Sequence, residues 1–200
     1  IKELPEFELV AICTSRRETA EETAREYGVP LAFNDPMEMA THKDVDLVDV
    51  CVRVPLHHQM VMAAHTAGKH VFCEWPLGAN LEEAVELRDA GNAGKRSQVV
   101  GLQARGAPEV VYLKELLSQG YVGEVVSCSM VSSLPGAGRR TQTFAWAADR
   151  ENGAHTLSIA GGHSIDVMCY CLGEFREVSA KVATLSPQAI VEGTGQILDV

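Results

Sequence analysis

The chain has 200 residues, of which 46% are hydrophobic and 22% charged, a composition typical of a globular protein with a real core rather than of a disordered chain. Its formal net charge of −10 at pH 7 argues against electrostatic binding of nucleic acid or of an anionic membrane. No run approaches the roughly 20 apolar residues of a membrane span, and no signal peptide opens the chain, so we expect a cytoplasmic protein.

The first half of the sequence alternates predicted strands and helices. An apolar run at 7–13 has the length of a strand, and the spacing of Ser15 and Glu18 matches a capping box that opens a helix ending at Gly28. Further strands are predicted at 46–54, 70–74 and 97–103, and further helices begin at Asp35-Pro36, near His57 and at Asn80. This rhythm predicts βαβ units, and hence an α/β fold with a parallel, Rossmann-like sheet covered by helices.

The rhythm changes after about Arg105. A helix at 108–117 leads into a long run at 125–133, a polar loop follows, and a helix at 163–171 precedes a strand near 177–183. This order predicts a second, α+β domain that is truncated. We therefore expect an NAD(P)-binding domain over 1–104 and a partial substrate or oligomerisation domain over 105–200.

The six cysteines indicate packing rather than chemistry. Five of them lie in apolar runs, which predicts buried, reduced thiols in a cytosolic protein. They are Cys13, Cys51, Cys73, Cys169 and Cys171. No CxxC pair suggests a zinc site, so we expect no metal.

The glycine-rich signature of a dinucleotide fold, GxGxxG between a strand and a helix, is absent. The chain begins with Ile1 rather than Met, and we expect the first strand and its glycine loop to precede it. The strand at 7–13 is then the second of the fold, and its end is the position that reads the ribose.

The residues at that position favour a phosphate. Enzymes that use NAD place a carboxylate there, whereas an arginine accommodates the 2′-phosphate of NADP. Here Thr14 and Ser15 precede Arg16 and Arg17 at a predicted helix N-terminus. The cofactor is predicted to be NADP or NAD, with NADP ahead. The alternative is that Ser15 only caps the helix and both arginines are solvated.

Three separated motifs, in order, resemble the Gfo/Idh/MocA family, the glucose–fructose oxidoreductase and inositol dehydrogenase group. The first extends from the loop at 52–57 through Gly-Lys-His-Val at 68–71 to Glu-Trp-Pro at 74–76. The second is at 120–124, and the third is Gly-Gly-His-Ser-Ile-Asp at 161–166. The resemblance implies dinucleotide binding and oxidoreductase chemistry on a sugar, polyol or related hydroxy compound.

The resemblance also implies a cofactor-binding set. Its members are Ser15, Arg16, Arg17, Val52, Val54, Pro55, His57, Glu74, Trp75 and Gln103.

The catalytic set of the family is a lysine in Glu-Lys-Pro, plus an aspartate and a histidine four residues apart. Carried over position by position, only His163 survives, because Trp75 stands at the lysine position and Ile159 at the aspartate position. Neither replacement titrates, and loss of a positioned acid–base group typically costs about 10²- to 10⁴-fold in rate.

His163 can also be judged by its own position. It follows two glycines in the first turn of a predicted helix, where the helix dipole disfavours the imidazolium form, and Asp166 three residues on shares its helix face. His163 and Asp166 are the catalytic candidates; the alternative is a histidine that only caps a helix.

A substrate pocket is predicted from the loop residues Arg105, Arg140, Trp146 and His155, which solvated loop charges explain almost as well.

Two functions remain open. The first is an NAD(P)-dependent oxidoreductase with a small-molecule substrate. The second is a regulator that holds NAD(P) without turning it over, since Glu-Trp in place of Glu-Lys also resembles a transcription-regulating branch of the family. For either, the intact protein is expected to form a homo-oligomer and not to contact nucleic acid or membrane directly.

Overall fold

The computed structural model describes residues 3–134 and 138–200. The chain divides into two compact units, Ile1–Val100 and Gly101–Val200, and each is described by itself.

The first unit alternates short parallel strands with helices. Its strands are β1 (Ala11–Cys13), β2 (Leu31–Phe33), β3 (Leu47–Val50), β4 (His70–Glu74) and β5 (Gln98–Gly101). Its helices are α1 (Arg17–Tyr27), α2 (Pro36–Thr41), α3 (His57–Thr66) and α4 (Leu81–Ala93). The predicted α/β, Rossmann-like fold class is confirmed.

The strands form two sheets. β1 pairs with β2 in parallel, and β3 pairs with β4 in parallel with Val50 opposite Cys73; β5 adds to the free side of β4. Because parallel strands end at the same edge, the segments that follow β3 and β4 leave the sheet side by side.

The core of this unit lies on one face of β3 and β4. Val48, Val50, Val71 and Cys73 alternate with exposed residues along the two strands, and they pack against Val61 of α3 and Leu87 of α4. Each such side chain contributes roughly 1.5–3 kcal/mol when fully buried. This burial fixes the register of the strands and thereby the positions of the loops that follow them.

The predicted helix caps meet different outcomes. The Asp35 carboxylate accepts hydrogen bonds from the backbone N–H groups of Met37 and Glu38, and Asn80 accepts one from Glu83, so both predicted caps are confirmed. The predicted Ser15 cap is wrong. The helix begins one residue later than a Ser15 cap requires, so Arg16 is the N-cap of α1. The Arg16 side chain makes no capping hydrogen bond.

The second unit contains α5 (Pro108–Ser118), β6 (Arg139–Arg140), α6 (Gly162–Leu172), β7 (Gln188–Val191) and β8 (Ile197–Asp199). β6 runs parallel to β7, and β7 runs antiparallel to β8. A π-helical turn at Leu157–Gly161 continues directly into α6.

The strand predicted near 177–183 is wrong, since this segment is irregular in the structure. Its apolar side chains alternate as in a strand, but Val178 and Val182 are 75% and 70% exposed. A strand requires a hydrogen-bonded neighbour as well as a pattern, and the described residues provide none for this segment.

Candidate functional site

The segment after β1 carries the predicted ribose-reading residues. The Thr14 hydroxyl lies 2.5 Å from that of Thr19 and donates to the carbonyl of Arg16 at 2.8 Å, which fixes the start of α1. Ser15 and Arg16 are exposed, whereas Arg17 pairs with Glu21 at 2.7 Å along the helix. Since no side chain caps α1, its first N–H groups and the exposed Arg16 guanidinium are hydrogen-bond donors of the kind that bind a phosphate group.

The segment after β3 combines exposed and buried members of the predicted set. Val52 is 38% exposed and Pro55 is also exposed, while Val54 is 5% exposed in a 3₁₀ turn that extends to Leu56. His57 begins α3 and is buried beneath this turn. Val52 and Pro55 are therefore accessible, and their contact with a cofactor stays a prediction; Val54 and His57 are buried and cannot make such a contact directly.

The segment after β4 carries Glu74, which is exposed, and Trp75, which is half-buried and joined to Pro76 by a cis peptide bond. Glu74 shares its strand face with Asp49. Burial, and then the charge of Glu74, raises the pKa of the Asp49 carboxyl.

The thiols beside this edge are poor nucleophiles at neutral pH. Burial, together with the charges of Glu74 and Asp49, raises the pKa of Cys73 to about 12. Partial desolvation of its thiol, followed by the charges of Asp49 and Glu74, also raises the pKa of Cys51; the residue as a whole is exposed, so its predicted burial is wrong. Since the thiolate is the reactive form, neither residue offers covalent catalysis.

In the second unit the structure brings Arg105 and Asp166 together. The Arg105 guanidinium donates to Asp166 from both Nε and Nη2, at 3.0 and 2.5 Å, and the Asp166 side chain is only 10% exposed. The same guanidinium lies 5.5 Å from the ring centre of Tyr170. The Nζ atom of Lys114 lies 3.5 Å from the same ring centre.

Asp166 was predicted to orient His163, and the contacts of Arg105 and Lys114 with Tyr170 were not predicted. The i, i+4 spacing of Asp166 and Tyr170 on one helix face was the available signal.

His163 lies more than one turn inside a continuous helical segment. The π-helical turn at Leu157–Gly161 precedes α6, so the predicted place of His163 at a helix N-terminus is wrong. The helix dipole acts mainly within the first turn and therefore has little effect there. His163 and Ile159 are both half-buried, and π-helical turns of this kind are frequent at functional sites.

His155 caps this segment. Its Nδ1 accepts a hydrogen bond from the backbone N–H of Ser158 at 3.2 Å, while the Ser158 hydroxyl accepts one from the backbone N–H of His155 at 2.9 Å. With Nδ1 engaged, Nε2 is the atom of His155 that can face a ligand.

Arg140 and Trp146, predicted for the substrate pocket, and Gln103, predicted for cofactor binding, also lie in the second unit. Arg140 ends the short strand β6, and its guanidinium donates to the carbonyl of Arg139 at 2.9 Å. Trp146 stacks on Phe144 with ring centres 6.4 Å apart. Gln103 is exposed in the turn that follows β5. Contact of these residues with substrate or cofactor stays a prediction.

Within residues 3–134 and 138–200, no cluster of three or more His, Cys, Asp or Glu side chains has the arrangement of a metal site. In the same residues, no helix has the length and apolar character needed to cross a bilayer.

A unit of parallel strands alternating with helices, with exposed segments after β1, β3 and β4, is typical of a Rossmann-type dinucleotide-binding domain. Residues 1–102 match the family described as "Oxidoreductase family, NAD-binding Rossmann fold", and the chain belongs to this Gfo/Idh/MocA family. Residues 108–198 match the domain described as "Gal80p, C-terminal domain".

Relatives include both dehydrogenases and regulators. The chain is 34% identical to dehydrogenase aclE of Aspergillus oryzae, over 92% of this chain and 51% of that protein. It is 27% identical to the galactose/lactose metabolism regulatory protein GAL80 of Kluyveromyces lactis, over 96% of this chain and 45% of that protein. The chain thus spans about half the length of these relatives.

Among solved structures, levoglucosan dehydrogenase in complex with NADH and levoglucosan superposes with a TM-score of 0.79. The sequences are 27% identical, and the match covers 93% of this chain and 50% of that one.

Proposed function

We propose that the full-length polypeptide is an NAD(P)-dependent oxidoreductase acting on a sugar, polyol or related hydroxy compound. The observation that carries this proposal is the match of residues 1–102 to an NAD-binding oxidoreductase family. A dehydrogenase at 34% identity and a structural relative that holds NADH with a sugar support it.

In this proposal the segments after β1, β3 and β4 would hold a nicotinamide dinucleotide, which would supply the hydride chemistry when bound. His163 holds the proton that the other half of the reaction requires: its imidazole accepts the proton of the substrate hydroxyl during oxidation and returns it during reduction. Trp75 and Ile159 cannot share this task, since neither titrates. Asp166 binds Arg105 through paired hydrogen bonds, so the proposal assigns proton transfer to His163 rather than to Asp166.

The test is turnover of the full-length protein against sugars and polyols with both cofactors. His163→Ala is expected to lower kcat by about 10²- to 10⁴-fold. His42→Ala, at the C-terminal end of α2, is the matched control and should retain full activity. Unchanged turnover in His163→Ala would contradict the assignment of this residue.

We further propose that NADP is preferred over NAD, because Arg16 is exposed at the end of β1 and no carboxylate stands among Thr14–Arg17. Arg16→Glu should weaken NADPH binding and leave NADH binding much less affected. A wild-type protein that binds NADH more tightly than NADPH would refute the preference.

A second candidate function is a regulator that senses NAD(P) without turnover. Trp75 and Ile159 motivate it, since together they remove two acid–base groups from the family's catalytic set, and the relative GAL80 is a regulatory protein. It predicts saturable dinucleotide binding that changes Trp75 fluorescence, with no reaction across the substrate panel. One substrate oxidised at an ordinary enzyme rate would eliminate it.

A further inference from the structure

His57 joins two loops that leave adjacent strands. Its Nδ1 lies 2.7 Å from the backbone carbonyl oxygen of Pro76, and its Nε2 lies 2.9 Å from that of Val52. The side chain is 1% exposed, and among the described residues it is the one polar side chain that is buried.

The two carbonyls belong to the segments that carry predicted cofactor-binding residues. Val52 opens the segment after β3 that continues to Pro55, and Pro76 directly follows Glu74 and Trp75 after β4. Strands β3 and β4 are paired up to Val50 and Cys73, and the pairing does not extend into the two segments that follow them. Past that point, the imidazole ring connects them.

Carbonyl oxygens only accept hydrogen bonds, so each contact is stabilising when the facing ring nitrogen carries a proton. A neutral ring donates to one of the two carbonyls, and a doubly protonated ring donates to both. The hydrogen bond or bonds that the buried ring donates, and its place within reach of both carbonyls, hold the two loops at their observed separation.

We propose that His57 is a positioning residue for the dinucleotide. It sets the separation of the Val52–Leu56 segment and the Glu74–Pro76 segment, and thereby the affinity with which their exposed residues bind the cofactor, without touching it. This inference rests on the proposed dinucleotide binding. It replaces the expectation of direct contact, because the ring is buried beneath the loop.

The test compares the full-length wild type with His57→Phe, which keeps a ring and removes both hydrogen bonds. Two backbone amides report on the loops without cofactor: Leu56, bonded to the Arg53 carbonyl at 2.8 Å, and Ala79, bonded to Glu83 at 2.8 Å. Hydrogen exchange is expected to accelerate at both amides together, while exchange in α1 and β2 is unchanged. The Kd for NADH and NADPH should rise about tenfold.

His58→Phe is the matched control, because His58 is the next residue of α3 and its ring bonds Glu86 instead of either loop. It should change neither reporter amide nor either Kd. His57→Gln retains an N–H donor, so it should restore part of the protection and affinity, and it serves if His57→Phe does not fold.

Unchanged exchange at either amide in both His57 variants would overturn the claim that His57 joins the two loops. Accelerated exchange at both amides with unchanged Kd would overturn its link to binding. A wild type that binds no dinucleotide refutes the proposed function, and the exchange data then still decide whether His57 joins the loops.

Discussion

His65 on α3 has two ring nitrogens in different situations. The Gln98 side-chain amide lies 3.2 Å from Nδ1 and can donate to it, which leaves the proton of the neutral ring on Nε2. Nε2 is buried and has no hydrogen-bonding partner among the described residues. Burial therefore lowers the pKa of His65 below its ordinary value of 6.5.

This residue makes stability depend on pH. Below about pH 6.5 the unfolded chain binds a proton at His65 more readily than the folded chain does. The free energy of unfolding is therefore unaffected by His65 above that pH, and it decreases as the pH falls from 6.5 towards the lowered pKa of the folded state. Urea unfolding at pH 7.5 and 5.5 should show a smaller loss in His65→Phe than in the wild type. Equal losses in both proteins would contradict this account.

The Arg105–Asp166 pair is the second residue-scale case. Asp166→Asn keeps the shape of the side chain but removes the charge that accepts two hydrogen bonds, and it should lower the free energy of unfolding by about 1–2 kcal/mol. The control is Glu177→Gln, which breaks the fully solvated pair with Arg176 and should cost less than about 0.5 kcal/mol. Similar costs for both variants in denaturant titrations would refute the distinction.

At the scale of elements, helix starts that look alike in sequence differ in structure. Asp35 makes two capping bonds at α2, whereas Ser15 makes none at α1. Asp35→Ala should therefore lower the free energy of unfolding by about 1 kcal/mol, and Ser15→Ala should leave it unchanged within error. Thermal and urea unfolding measure both changes. A decrease in the free energy of unfolding for Ser15→Ala comparable to that for Asp35→Ala would indicate that Ser15 does cap α1.

The elements found from sequence are those whose signal is local. Strand β4 occurs at the predicted residues 70–74, and the Asp35 cap required only the order Asp-Pro before a helix. The three-residue strand β2 was missed because Leu31–Phe33 is too short for a periodic pattern. The segment 177–183 has the pattern but lacks a paired neighbour, which sequence alone does not reveal.

In the candidate site, too, the sequence predicted the local features and did not predict the long-range contacts. Sequence motifs identified the segments after β3 and β4, because their residue types and spacing match the family. They did not reveal that His57 is buried between two carbonyls, or that Asp166 binds Arg105, since both depend on residues that are distant in sequence. The π-helical turn before α6 was not predicted, because the sequence Leu157–Gly161 has no pattern that distinguishes it from an ordinary helical turn.

At the scale of the whole molecule, several large apolar side chains face solvent. Val126, Val131 and Leu185 in the second unit are 92%, 93% and 94% exposed. Exposed apolar surface of this kind promotes association.

The polypeptide of residues 1–200 should therefore bind 1-anilinonaphthalene-8-sulfonate and increase in mass with concentration in light scattering. Replacing Val126, Val131 and Leu185 with serine should reduce both effects, whereas Glu177→Ser, at an exposed polar position of the second unit, should not. A monomeric polypeptide without dye binding would contradict this prediction. For the intact protein we propose a homo-oligomer, which the same scattering measurement tests.

Cys128, the sixth cysteine and the one outside the apolar runs, has a different environment from Cys51 and Cys73. Maleimides react with thiolates, and Cys73, with its pKa of about 12 and its full burial, offers almost none. The pKa of Cys51 is also raised, whereas Cys128 is exposed in the second unit. The native sequence therefore has a preferred attachment point for a fluorescent or spin label at Cys128, before any cysteine is replaced.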